Sequence, residues 1–404
     1  MLVTSKHSPL AMLRAAWRCR CPGRSFSSAR QVWRWGGESA PAAVAAPGAS
    51  AVACGGGHSA FVAQGRLQSF GANNCGQLGR SGEDAQPGPV ELVAPDGHRP
   101  PVQLVALGAR HSAAITEGGI LWTWGYGGSF WYGAGGLGLG KRSEVSSPEM
   151  VMSFVNQGVE VAQVACGGLH TLVLDQDGKV HSTGQGGFGR LGRGGVASRG
   201  DEYDFHEIVF FSKTTDSIMN PGEEPAIVKV DAGREFSAAM SLHGELWVWG
   251  RNDYGQLGMG FEVMKDRNFC MQYPFLMRTL PMEGHVIRDF ACGETHMVMV
   301  TTAGAIYEWG NRQYFEPTAI TLPSRYQEGI KGVWKVAAGE NCSFALTQDG
   351  ELYSWGRRST GCLASGIGDE EVRRPTLVPP ETFGNQRVLD IAVGKQCCLA
   401  ITEP

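Results

Sequence analysis

The most constraining feature of this chain is a repeat whose register closes only on a circle. A segment of the form AxGxxH, followed by small or apolar residues, occurs at ACGGGHSAFV (53–62), ALGARHSAAI (106–115) and ACGGLHTLVL (165–174). Looser copies follow at DAGREFSAAM (231–240), ACGETHMVMV (291–300), AAGENCSFAL (337–346) and AVGKQCCLAI (392–401), which makes seven. Their spacing of roughly 46 to 66 residues falls in the range of repeat architectures. A second segment, apolar-x-x-aromatic-Gly, follows six of them: LQSFG (67–71), LWTWG (121–125), VHSTG (180–184), LWVWG (246–250), IYEWG (306–310) and LYSWG (352–356), with Thr183 breaking the aromatic rule once. Between the two segments stand Gly65, Gly119, Gly178, Gly244, Gly304 and Gly350, where a tight hairpin needs a residue at positive φ. Each unit is therefore predicted to be a β-hairpin. A GQLG or GRLG element (76–79, 189–192, 255–258) then leads into a connection that often contains Pro.

The seventh copy runs into ITEP404 with no second strand, and the missing strand, VWRWG (32–36), stands at the other end of the sequence. A ring of blades exposes unpaired edges unless one blade draws strands from both termini. The predicted fold is all-β, a seven-bladed β-propeller closed by pairing the N-terminal strand with the C-terminal blade.

Composition agrees. The 58 glycines are about twice average usage without collagen spacing. The eleven cysteines show no CxxC pair or metal-ligand spacing, as expected of a reducing compartment. No run of 18 or more apolar residues occurs, so no membrane-spanning helix is expected.

Residues 1–26 form a separate unit. They carry Lys6, Arg14, Arg18, Arg20 and Arg24 and no acidic residue, are rich in Ser, Ala and Leu, and lack a secretory h-region. This is the composition of a mitochondrial targeting peptide, and RSFSS (24–28) fits matrix processing before Ser27. The expected location is the matrix or the matrix side of the inner membrane. The chain carries 35 basic and 39 acidic side chains, and losing the leader would make the body, residues 27–404, more acidic. An acidic body does not favour phosphate-backbone binding. No DNA partner is expected, and RNA only indirectly.

Residues 31–404 resemble the regulator-of-chromosome-condensation (RCC) repeat family, and with the leader they resemble its mitochondrial members. The resemblance implies a seven-bladed propeller closed in this mixed-terminus way, monomeric, acting as a protein-binding platform without bond-making catalysis. Its best-known member is the exchange factor for the GTPase Ran. YGGSFWYGAGGLGLG (126–140) lies where that relative carries its nucleotide-site wedge, which makes Phe130, Trp131 and Tyr132 candidate partner contacts. In the Ran branch an Asp and a His that serve exchange precede the third and fifth repeat histidines, whereas here those places are Leu169 and Thr295. The plant UV-B receptor branch places light-sensing tryptophans where this chain has Gly56, Ala109, Gly168 and Arg234. Two expectations follow: a guanine-nucleotide exchange factor or regulator of a mitochondrial GTPase, or a structural or assembly subunit of a large mitochondrial complex, the ribosome or a respiratory complex.

The remaining motifs read as structural or as docking elements. His58, His111, His170 and His296 share one repeat slot, and equivalent positions of a ring diverge, so they are expected to bridge backbone and to bind no metal. Cys54, Cys166 and Cys292 share another slot, and Cys342 and Cys397 replace the repeat His, all read as small buried hydrophobes. Trp35, Trp124, Trp249, Trp309 and Trp355 are expected in the packing between blades. GGLGLGKR (135–142) matches a phosphate-loop spacing, but Arg142 stands where Ser or Thr should follow the Lys, so no nucleotide cofactor is expected. Residues 193–228 read as a long insertion. Asp201, Glu202, Asp204 and Glu207 would give it an acidic face, and Phe210 and Phe211 an aromatic knob for docking to a basic partner.

Overall fold

A computed structural model describes residues 29–404 except 38, 83–84, 130–132, 195–199, 215–221, 223, 262–268, 279–285, 321–331, 358–360 and 365–370. The leader lies outside the described residues. Seven four-stranded antiparallel sheets stand in a ring, with a two-stranded hairpin beside them. Blade 1 spans 49–90, blade 2 102–150, blade 3 161–207, blade 4 227–276, blade 5 287–319 and blade 6 333–377. Blade 7 combines 387–393 and 398–403 with two strands from the other end of the chain, 31–36 and 39–44. The first strands of consecutive blades touch in a closed cycle, so they line the axis, and the fourth strands form the rim.

Closure follows the circular register. Gln31 pairs with Thr402, Trp33 with Ala400 and Trp35 with Cys398. The N-terminal end supplies two strands, however, because Ser39–Val44 pairs outside Gln31–Gly36. The fourth strand of the other blades was likewise absent from the two-strand reading of the repeat. These strands contain Pro41, Pro89, Pro148, Pro274, Pro317 and Pro375. Proline has no N–H for a ladder and is confined to strand edges, so a rim strand reads as a proline-bearing connection. The AxG segment also divides. Its Ala and the residue after it end the first strand, and its Gly opens a tight turn into the second, as at Cys54 and His58.

The hairpin glycines behave as required, with φ from 73° at Gly65 to 86° at Gly304. Every second strand in blades 1 to 6 is buried along its whole length because a neighbouring blade covers each face. This explains why HSAFVA and HSAAIT carry small and apolar residues without polar alternation. Trp122, Trp124, Trp247, Trp249, Trp309 and Trp355 are fully buried and Trp35 nearly so.

Part of the expected insertion is regular structure. Glu202–Glu207 is the fourth strand of blade 3, paired with 180–184. The sequence hid it because this strand alone lacks the rim proline. It also resolves the irregularity at Thr183. In three junctions a glycine at positive φ lies against the indole of the next blade: a Cβ on Gly79, Gly192 or Gly258 would meet Trp124, Trp249 or Trp309. At the corresponding Gly138 it would meet the Phe205 ring, so a phenylalanine from the rim strand occupies the place of the missing tryptophan.

Candidate functional site

Each blade presents two loops at the same end. The residue before the repeat slot offers its carbonyl to the residue just after the glycine of the third strand: Tyr126 N–H donates to Arg110 O at 2.9 Å, Gln185 to Leu169 at 2.8 Å and Arg251 to Glu235 at 3.0 Å. The AxG turns and the GQLG loops therefore crowd onto one face, and the glycine hairpins lie on the other.

The repeat residues hold this face from beneath. His58, His111, His170 and His296 each place Nε2 at 2.8–3.0 Å from a hydroxyl of the next blade, on Ser112, Thr171, Ser237 and Ser343 respectively. The hydroxyls donate onward, Ser112 to Gln77 O at 2.7 Å, Thr171 to Gly136 O at 2.6 Å and Ser237 to Arg190 O at 2.8 Å. A hydroxyl that spends its hydrogen on a carbonyl must accept from the ring, so Nε2 carries the proton in these junctions. Burial holds His58 down to about 3 and His111 down to about 4, and lowers His170 and His296 as well. These histidines are neutral clasps between blades: the expected bridge to backbone within one blade is instead a bond to a side-chain hydroxyl of the next. Tryptophan indoles reinforce them: Trp124 Nε1 donates to Gln77 O and Trp249 Nε1 to Arg190 O, both at 2.9 Å, and Trp309 Nε1 to Gln256 O at 3.0 Å. Among the described residues no group of three or more His, Cys, Asp or Glu is arranged to hold a metal ion. No described helix is long and apolar enough to cross a membrane.

What varies from blade to blade lies above this frame. On blade 2 a hairpin pairs Gly128 with Ala134 and Ser129 with Gly133. Phe130, Trp131 and Tyr132 lie outside the described residues. The base of the hairpin is braced by Tyr126 Oη, 3.1 Å from Ser129 Oγ, and Arg110 lies over the Tyr126 ring at 6.0 Å. The acidic stretch meets this loop. Leu139 bridges Asp204, Gly140 N–H donates to Tyr203 O at 2.8 Å, and Arg142 lies over the Tyr203 ring at 5.0 Å. Two candidate patches far apart in sequence are thus one surface. Its acidity is partly spent, since Glu202 pairs with Arg193 and, at 3.3 Å, with His206. Asp204 remains exposed.

Phe210 and Phe211 do not join that surface. Ile208 N–H donates to Val180 O, which places the following residues at the hairpin end of the blade, away from the AxG turns. Phe211 is buried against Trp247 and Trp249 at 5.8 and 5.9 Å, and Phe210 packs on Trp247 at 5.7 Å. The expected docking knob is instead an anchor that fixes the connection to its own ring, because an apolar pair beside two buried indoles gains more there than in water.

The sequence reading missed a set of aromatic and basic residues on this face. Phe188 and Tyr254 share a repeat position, the residue just before the first glycine of the GQLG-type turn. Phe188 is 37% exposed and sits at φ 59°, an uncommon conformation for a bulky side chain. Arg251 lies over its ring at 4.4 Å, and Arg312 over Tyr254 at 4.4 Å. Arg251 is in turn held by Glu235 and, at 2.6 Å, by Asp253. The available signal was an aromatic residue twice preceding a structural glycine. Leu169 and Thr295 are half-buried on the same face, where Thr295 Oγ1 is 2.5 Å from Asn311 Oδ1.

A seven-bladed propeller with a rigid clasped interior and one face of individual loops defines a class of interaction platforms. The chain belongs to the RCC1-like domain family, which matches residues 28–400. It is 28% identical to the ultraviolet-B receptor UVR8 of Arabidopsis thaliana over 370 residues, covering 87% of this chain and 74% of that protein. It is 31% identical to the E3 ubiquitin-protein ligase HERC2 of Homo sapiens over 306 residues, 74% of this chain but 6% of HERC2. Among solved structures, Prp20p of Saccharomyces cerevisiae superposes with a TM-score of 0.76 at 22% identity, over 94% of this chain and 92% of that one. Two of the places read above as lacking tryptophan are too tight for one. A Cβ on Gly56 would lie 2.7 Å from Ala109 O and one on Gly168 2.4 Å from Arg234 O, which leaves no room for an indole.

Proposed function

We propose that this propeller binds a GTPase of the mitochondrion through the face of AxG turns and GQLG loops and regulates its nucleotide exchange. The observation that carries the reading is the blade 2 hairpin, 128–129 with 133–134, which follows the Arg110–Tyr126 stack and precedes the Leu139 bridge to the acid-bearing strand of blade 3. The sequence between its two strands reads Phe130, Trp131 and Tyr132, residue types suited to a protein contact. The structure of Prp20p was described together with its binding to Gsp1p and histones, which supports a protein partner for the shared fold. The basic, acid-free leader, residues 1–26, supports the mitochondrial location.

A second reading has its own observation. Leu169 and Thr295 replace the Asp and His of the Ran branch, which favours a scaffold or assembly subunit of the mitochondrial ribosome or a respiratory complex. Affinity purification of the tagged chain from isolated mitochondria, with GTP and again after nucleotide removal, separates the two. Capture of a GTPase only in the depleted sample supports exchange. Capture of the same ribosomal or respiratory subunits in both samples overturns it in favour of the scaffold.

A further inference from the structure

The junction between the last and first blades differs chemically from the others. In blade 7 the clasp slot holds Cys397, and the hydroxyl it meets is Ser59 of blade 1, whose Oγ lies 3.1 Å from Cys397 Sγ. The same hydroxyl is 3.8 Å from Cys54 Sγ, at the end of the first strand of blade 1. One hydroxyl thus stands within reach of both thiols, and Cys397 Sγ lies 3.9 Å from His58 O beside them. Both cysteines are partly exposed, whereas Cys342 and Cys398 are buried. The backbones that carry them are pinned together, since Lys395 N–H donates to Gly55 O at 3.1 Å and a Cβ on Gly394 would lie 3.0 Å from Cys54 Cβ. Repeat statistics make this meeting singular. Cys166 and Cys292 occupy the slot of Cys54, but the preceding blades offer His111 and Phe236. Cys342 occupies the slot of Cys397, but the following blade offers Val393.

We propose that Cys54 and Cys397 are a redox modification site, a thiol pair that closes to a disulfide and locks the ring covalently where its two chain ends meet. A low-molecular-weight disulfide such as oxidised glutathione is the oxidant. Its S–S bond breaks, one S–S bond forms between the blades, and the two thiol protons leave with the two released glutathione thiolates. Cys397 is the attacking sulfur. The Ser59 hydroxyl donates to it at 3.1 Å, against 3.8 Å to Cys54, which favours the thiolate there, whereas burial pushes the Cys54 thiol well up. The link would join residues near opposite ends of the chain, the case in which a cross-link constrains the unfolded state most. It would also secure the junction whose strands come from both ends.

The test oxidises the folded, reduced full chain with glutathione disulfide, blocks remaining thiols with N-ethylmaleimide, and maps peptides with and without reductant. The expected result is one linked peptide pair containing residues 54 and 397 that separates on reduction. The oxidised protein should unfold roughly tenfold or more slowly at fixed denaturant than the reduced one. Cys54→Ser should abolish that difference, and Cys397→Ser should do so independently. Alkylation of both residues after oxidation, separate glutathione adducts on each, or a link confined to Cys342, Cys362 and Cys398 would each overturn the proposal. The peptide map needs no variant, so misfolding of a substituted chain does not blunt it.

Discussion

Two neighbouring junctions of the ring solve one packing problem with opposite chemistry. Between blades 3 and 4, His170 stands 2.9 Å from the Ser237 hydroxyl, which donates to Arg190 O. Between blades 4 and 5 the same two slots hold Phe236 and Met297, both fully buried in one apolar cluster. A histidine facing Met297 would have lost its acceptor, and a serine facing Phe236 its donor. The residues are therefore matched across the junction, polar with polar and apolar with apolar, as the cost of an unsatisfied buried group requires. Cys342 with Cys398 repeats the apolar solution between blades 6 and 7. Blade 5 shows the same economy differently. It lacks a GQLG turn, and Glu308 supplies the acceptor instead, taking the Ser343 hydroxyl at 2.8 Å and the Trp355 indole at 2.9 Å. The repeat conserves a pairing across blades, and the individual residue types follow from it.

The largest effect is expected at the closing blade. Trp35 is 3% exposed, donates Nε1 to Cys362 O at 2.6 Å and packs on Phe383 at 5.5 Å. Trp35→Ala should cost about 3–5 kcal/mol in urea denaturation, and an unchanged midpoint would contradict closure by this strand. Next comes the apolar junction. Phe236→His should cost about 2–3 kcal/mol by burying an unpartnered ring nitrogen. Combined with Met297→Ser, it should cost about 1–2 kcal/mol less than the sum of the single changes. Strict additivity in that double-mutant cycle would break the matching account.

Acid separates the two kinds of junction further. His111 is held down to about 4 by burial, so below the ordinary value near 6.5 the unfolded chain takes up a proton that the native ring refuses. The stability this neutral ring contributes is whole above about pH 6.5 and is lost as pH falls toward 4. Replacing the clasp with an apolar pair, His111→Phe with Thr171→Val, should leave the protein about 2 kcal/mol less sensitive to a shift from pH 6.5 to 4.5. Parallel pH curves for the two proteins would count against the neutral clasp.

Much of this architecture was legible because it repeats. Seven AxG segments, six hairpin glycines and one displaced VWRWG were enough to give the ring and its closure. The rim strands escaped because proline is a strand breaker everywhere except at an edge, and EYDFHE escaped for the opposite reason, being the rim strand without one. The site was less legible. Asp204 and the 126–140 loop could be named but not joined, since their contact depends on how blade 3 curls against blade 2. Phe210 and Phe211 misled because an apolar pair within an acidic stretch reads alike whether it faces a partner or a neighbouring indole. Phe188 was missed because its exposure follows from a backbone angle, φ 59°, that the sequence does not display.

The smallest effect on stability should come with the largest effect on binding. Arg110 and Phe188 are exposed on the AxG face, and Glu117 is exposed at a hairpin on the opposite face. Arg110→Glu combined with Phe188→Ala, like Glu117→Lys alone, should move stability by less than about 0.5 kcal/mol. The measurement that tests the account most directly is quantitative partner capture by these two variants and the native chain, with melting curves recorded in parallel. The account predicts that all three melt alike, that Glu117→Lys retains the native partners, and that the Arg110 and Phe188 variant loses them. Retention of the partners by that double variant, or their loss on Glu117→Lys, would contradict the assignment of the AxG face as the binding surface.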